Sequence, residues 1–226
     1  MRRESQAARK RRAQQLVERL RQQYAEAPTA LDFRTPLEML VATILSAQCT
    51  DAVVNQVTPA LFARYPTARH YAEADPAELE TMIRPTGFFR NKTKSLIGMG
   101  QALVAEFGGE VPGTMAEMLR LPGVARKTAN VVLQNAFGVV EGVVVDTHVK
   151  RITYRLGLTT EADPQQVEQD LIRLLPREEW RFWGHAIILH GRETCPARKP
   201  KCGECVVEDL CPKVGVAPVG GAGRTR

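Results

Sequence analysis

Long apolar runs are missing from this chain of 226 residues. None approaches the roughly 18 consecutive residues that a membrane-spanning helix needs, so no contact with a membrane is expected. The opening residues MRRESQAARKRRAQQ lead into an amphipathic stretch and not an apolar core of an export signal, so the protein is expected inside the cell. Strand signals are equally scarce. The β-branched run Val143-Val144-Val145 is short and leads directly into Asp146, which reads as a buried connector and not as a sheet. There is no internal repeat, and low complexity is confined to the Gly-rich stretch 215–226. Disorder is excluded too. Hydrophobic residues make up 44% and charged residues 25%, close to globular averages, and the length suits one moderate domain or two small ones that share a core.

A uniformly basic surface is also absent, although the formal net charge is +6. Residues 1–12 carry Arg2, Arg3, Arg9, Lys10, Arg11 and Arg12 against Glu4, and residues 212–226 add Lys213, Arg224 and Arg226. The body between them, 13–211, holds 22 basic and 24 acidic side chains. Affinity for nucleic acid must therefore come from clustering on one face together with basic tails at 1–12 and 214–226.

What is present is helical. Apolar residues recur at intervals of three and four, as in Leu16, Leu20 and Tyr24 or Leu37, Leu40, Val41 and Ile44. The periodicity predicts helices over 14–24, 36–47, 51–63, 76–84, 91–107, 114–121, 125–137, 147–156, 164–175 and 178–190, an all-α protein. Breaks fall at Asp75-Pro76, Gly108-Gly109, Pro122-Gly123, Gly138 and Asp163-Pro164.

Two stretches carry chemistry. In 118–133, MLRLPGVARKTANVVL, one helix ends at Leu121, Pro122-Gly123 turns tightly, and a second helix starts near Ala125. Such a hairpin aims unpaired backbone N–H groups and a helix dipole at its turn, where a DNA phosphate fits. Lys127 falls in the first turn of that second helix beside Arg126, a setting that favours the free amine a nucleophile needs. On residue type alone it also reads as a solvated lysine after a turn, and Asp146 as a helix cap. The second stretch holds four of the five cysteines, spaced Cys195-x6-Cys202-x2-Cys205-x5-Cys211. In a reducing compartment this is a metal site before it is a set of disulfides. Four thiolates suit zinc or a four-iron cluster, and neither common spacing matches. Cys49 stands apart and reads as a small buried side chain.

Taken together, LPGVARKTANVVL, the following VVVDTHVKR at 143–151, and HGRETC with CGECVVEDLC at 190–211 resemble the helix-hairpin-helix DNA glycosylases, and among them the endonuclease III family. The resemblance spans roughly Leu37 to Cys211. It implies a two-lobed fold, with a six-helix lobe at 30–139 and an iron–sulfur lobe built from 13–29 and 140–213. It also implies a [4Fe-4S] cluster on Cys195, Cys202, Cys205 and Cys211. Lys127 becomes the nucleophile and Asp146 the essential carboxylate of a base-excision enzyme, acting as a monomer on double-stranded DNA that carries an oxidised pyrimidine or an abasic site. An extruded base leaves a gap in the stack that must be filled. By resemblance Gln48 of SAQCTD enters it, and TGFFRNK supplies a wedge of Thr86 and Phe88. Arg90, Lys92 and Lys94, the hairpin residues Leu121, Gly123 and Ala125, and Arg192, Arg198, Lys199 and Lys201 around the cluster would face DNA. His148 and His190 either line the pocket or pack in the core. Where the family's second hairpin position is usually Gly, this chain has Ala125, expected to be ordinary right-handed helix. The adenine-mispair glycosylases share the lobes and cluster but typically lack the lysine and place a catalytic glutamate early, for which 38–50, EMLVATILSAQCT, offers no acid beside Gln48. A non-enzymatic cluster protein that binds damaged DNA is the other alternative. In a bacterium the expected place is the cytoplasm, at the nucleoid; elsewhere it is a nucleus or mitochondrion.

Overall fold

Short polar side chains set where the helices begin. Ser5, Thr35, Thr50, Asp75, Thr114, Asp146 and Asp163 each accept a hydrogen bond from a backbone N–H of the turn that follows, and Pro36, Pro76 and Pro164 occupy first positions where no donor is needed. The computed structural model describes residues 4–24 and 29–217, so residues 1–3 and 218–226 of the two basic ends lie outside the described residues. Eleven α-helices appear among the described residues, with no strand: α1 (Gln6–Gln23), α2 (Pro36–Leu45), α3 (Asp51–Arg64), α4 (Ala68–Ala72), α5 (Pro76–Ile83), α6 (Phe89–Glu106), α7 (Met115–Met118), α8 (Arg126–Val132), α9 (Thr147–Arg155), α10 (Pro164–Leu174) and α11 (Trp180–Glu193).

The chain divides into two compact units, one of residues 28–141 and the other of 1–27 with 142–226. The first holds α2 to α8, seven helices where the periodicity gave six. The addition is α4, five residues long and too short to show a period. It packs tightly: a Cβ built on Gly100 of α6 would lie 2.6 Å from the Ala72 nitrogen and 2.8 Å from the Ala68 oxygen, so only glycine lets the two backbones approach. Helix α2 is the axis of this unit's core, with Met39 to Leu45 all buried. Each fully buried leucine there stabilises the fold by about 1.5–3 kcal/mol.

The second unit packs α1, α9, α10 and α11 around Leu16, Leu20, Val149, Ile152, Phe182 and Trp183. Val143 and Val145 are buried in that core without joining a ladder, which is the connector expected. The expected tail at 1–12 is different. From Gln6 onward it is helix, and Arg12 binds Glu4 at 2.7 Å and donates to the carbonyls of Leu156 at 2.6 Å and Leu210 at 3.2 Å. The expected tail from 214 likewise begins attached, since the Val214 N–H donates to the Arg155 carbonyl. Two shorter differences complete the account. Helix α8 passes into a wider π turn over Leu133–Phe137, and 3-10 turns at Cys202–Glu204 and Glu208–Leu210 shape a segment that has no helical period.

Candidate active site

The hairpin is built by steric fit. Gly123 has φ +78°, and a Cβ there would lie 2.6 Å from the Ser95 Cβ, so both its conformation and its contact with α6 demand glycine. Leu121, expected to face DNA, is buried in the core, 2% exposed. Its carbonyl accepts from the Val124 N–H at 3.1 Å and closes the turn. Ala125 is not helical, contrary to expectation. It is the N-cap of α8 in extended conformation (φ −94°, ψ 169°), with no side-chain oxygen for the first-turn amides. Lys127 follows in that first turn, with its side chain exposed.

Gln48 and Phe88 share a feature that residue type could not reveal. Both are exposed and both adopt positive φ, 54° and 47°, a region that costs side-chain-bearing residues energy and marks a constrained tip. Phe88 is 62% exposed. A phenylalanine held in solvent on a left-handed residue is displayed, and core packing is ruled out for it. Thr86, assigned to the same wedge, is 2% exposed, and its hydroxyl donates to the Ile83 carbonyl at 2.8 Å. It supports the loop from below. Lys92 is also buried, at 5% exposure, and cannot hold a phosphate from there. Arg90 and Lys94 remain exposed, with the Arg90 guanidinium 5.8 Å from the Phe89 ring centre.

In the other unit Asp146 caps α9, its Oδ1 accepting from the Val149 N–H at 2.8 Å. That uses one oxygen of a half-buried carboxylate; the second oxygen has its own lone pairs. His148 follows, and its Nδ1 lies 3.2 Å from the Arg151 guanidinium. Burial holds the His148 imidazole below its ordinary value, against an opposing pull from the Asp146 charge. His190 is core, 2% exposed, pushed down to about 4 by burial.

The four expected ligand cysteines are free thiols that line one pocket. Among the described residues no three His, Cys, Asp or Glu side chains gather about a single point as one zinc ion would require. Four thiols lining one pocket are a donor set that suits an iron–sulfur cluster. Their surroundings suit thiolates: Arg155 donates to the Cys195 sulfur at 3.2 Å and the Lys213 N–H to the Cys211 sulfur at 3.4 Å. Burial pushes the Cys205 thiol up to about 11 and raises Cys211 as well, a cost that iron would offset on binding them. Two arginines escaped the sequence reading although they stand four apart on one face of α9. Arg151 donates to the Cys195 carbonyl at 3.0 Å, and Arg155 to those of Pro196 and Ala197 at 2.8 Å. Around them Arg198, Lys199 and Lys201 are exposed, Lys199 with φ 51°.

Comparison with known proteins decides what this arrangement is. Residues 41–177 match the HhH-GPD superfamily of base excision DNA repair proteins, and 193–211 match the iron–sulfur binding domain of endonuclease III. The chain is 55% identical to endonuclease III of Synechocystis over 91% of its own length and 94% of the relative's. The chain belongs to the endonuclease III family. It is 40% identical to the Escherichia coli K12 endonuclease III, over 87% and 93% of the two chains. A trapped covalent endonuclease III–DNA intermediate superposes with a TM-score of 0.85, at 40% identity, over 90% of this chain and 96% of that one. A thermostable thymine-DNA glycosylase, 21% identical with a TM-score of 0.77, shares the fold. This endonuclease III family member is therefore a base-excision-repair DNA glycosylase and abasic-site lyase, and its cofactor is a [4Fe-4S] cluster. Among the described residues no helix is long and apolar enough to cross a membrane.

Proposed function

We propose that the enzyme excises oxidised pyrimidines from double-stranded DNA as a monomer and then cuts the strand at the abasic site, at the nucleoid if the cell is bacterial. The observation that carries this reading is Lys127, an exposed amine in the first turn after a hairpin whose shape Gly123 dictates. The lysine nitrogen bonds to the sugar C1′ as the glycosidic bond breaks and the base departs. The sugar ring then opens as the C1′–O4′ bond breaks and O4′ takes up a proton, which gives the Schiff base; this acidifies the C2′ proton, and its loss expels the 3′ phosphate by β-elimination. Asp146 takes the proton from the amine or stabilises positive charge growing on the sugar.

Binding is shared. The Leu121–Ala125 backbone and the uncapped start of α8 receive a phosphate, while Arg90, Lys199 and Lys201 add charge. Gln48 and Phe88 enter the gap left by the extruded nucleotide, Phe88 by stacking. Cys195, Cys202, Cys205 and Cys211 hold the [4Fe-4S] cluster, which when bound crosslinks residues 195–211 and couples their folding to metal. A duplex with one thymine glycol tests the reading on a gel: base loss with a strand break 3′ to the site is expected. Release of adenine from a mispair without a break would contradict it.

A further inference from the structure

Lys92 is a charged side chain placed where charge is costly. It lies in the first turn of α6, 5% exposed, and its Nζ donates to the Leu45 carbonyl and to the Thr86 carbonyl, each at 2.8 Å. Both partners are neutral backbone carbonyls, with no carboxylate among them. Burying an ammonium without a counter-charge is unfavourable, so the two carbonyls matter. Leu45 is the last residue of α2, and Gln48 comes three residues later. Thr86 stands two residues before Phe88. One ammonium therefore ties together the stems of the two loops that carry the displayed residues. Each tip is stiff on its own stem: the Cys49 N–H donates to the Ser46 carbonyl at 3.1 Å, and the Phe88 carbonyl accepts from the Asn91 and Lys92 N–H groups at 3.1 Å. With both tips locked in positive φ, what is left to set is the distance between the loops.

We propose that Lys92 is a positioning residue for base extrusion, a buried ammonium that crosslinks the Gln48 and Phe88 loops and holds both side chains at the separation needed to fill the gap. The inference rests on the reading that these two side chains enter the stack. It assigns Lys92 no contact with DNA. Helix α2 ends at Leu45, so the cation also meets the negative end of a helix dipole, which helps it stay charged in a site where burial lowers its pKa.

A double-mutant cycle on the cluster-loaded enzyme separates this role from plain support of the fold. The four proteins are wild type, Lys92→Met, Phe88→Ala and the double variant, each matched for cluster absorbance. The two readouts are single-turnover excision of thymine glycol and the fluorescence of 2-aminopurine opposite it, which rises on unstacking. Lys92→Met is expected to slow excision about tenfold or more and to diminish the fluorescence rise. Phe88→Ala should do the same, and the double variant should be within about twofold of the slower single one, because both remove one act. Lys92→Gln, which reaches one carbonyl but not both, serves the same cycle if Lys92→Met does not fold. Wild-type fluorescence and rate in the Lys92 variant, beside a defective Phe88→Ala, would overturn the proposal. So would effects that multiply. If Phe88→Ala itself changed nothing, the gap-filling reading would fall first and the role of Lys92 with it.

Discussion

Gly123 and Ala125 stand two residues apart in the hairpin and make opposite demands. At Gly123 an alanine meets both a positive φ, which costs about 1–2 kcal/mol, and the Ser95 side chain. Gly123→Ala is expected to lower stability by at least that amount in a urea titration. Ala125 has the extended geometry of an N-cap and no capping oxygen, so Ala125→Ser should raise stability by about 1 kcal/mol, the typical worth of a cap. An unchanged midpoint would show that the first-turn amides are already satisfied. His148 contributes to the pH dependence beside the more deeply buried His190. The folded His148 imidazole titrates below the ordinary 6.5 because of burial, so as pH falls the unfolded chain takes the proton first. The stability it contributes is whole above pH 6.5 and is lost on acidification below it. Urea midpoints measured from about pH 7.5 to 5.5 should fall more steeply for wild type than for His148→Gln; parallel curves would remove His148 from the account. Residue type left Lys127 open between a nucleophile and a solvated lysine, and Asp146 between a catalytic carboxylate and a helix cap; it was the resemblance of the surrounding motifs that marked them and the four cysteines as candidates. That Leu121, Thr86 and Lys92 are buried was not legible, since whether a side chain faces outward or the core is fixed by packing from distant segments.

Among elements, every helix of ordinary length was legible from its apolar period and its caps. The short α4 and the 3-10 turns of the cluster segment were not, since fewer than two turns carry little periodic signal, and the helix expected over 114–121 is itself only Met115–Met118. Helix α9 shows what a helix face adds. Four residues apart, Arg151 and Arg155 reach the same loop, and Arg155 satisfies the carbonyls of Pro196 and Ala197 together with the Cys195 sulfur. Arg155→Leu removes those partly buried hydrogen bonds, at about 0.5–1.5 kcal/mol each. Its expected result is faster loss of the brown cluster absorbance in a chelator, with the first unit's helices still folded by circular dichroism. Equal loss rates in variant and wild type would mean that the cysteines alone organise the segment.

For the whole molecule, the near-neutral body argued that DNA affinity depends on placement and not on net charge. Arg90, Lys94, Arg198, Lys199 and Lys201 are exposed, whereas Arg12 of the expected basic tail is docked within its own unit. Apolar periodicity gave the all-α class, but the division of the chain into 28–141 and its two flanks follows from contacts far apart in sequence. The central claim is that Lys127 is the nucleophile. Borohydride reduces a Schiff base only while it exists, so wild-type enzyme incubated with a thymine-glycol duplex and borohydride should give a covalent protein–DNA band that Lys127→Ala, binding the same duplex, does not. A band of undiminished yield in Lys127→Ala would contradict the account.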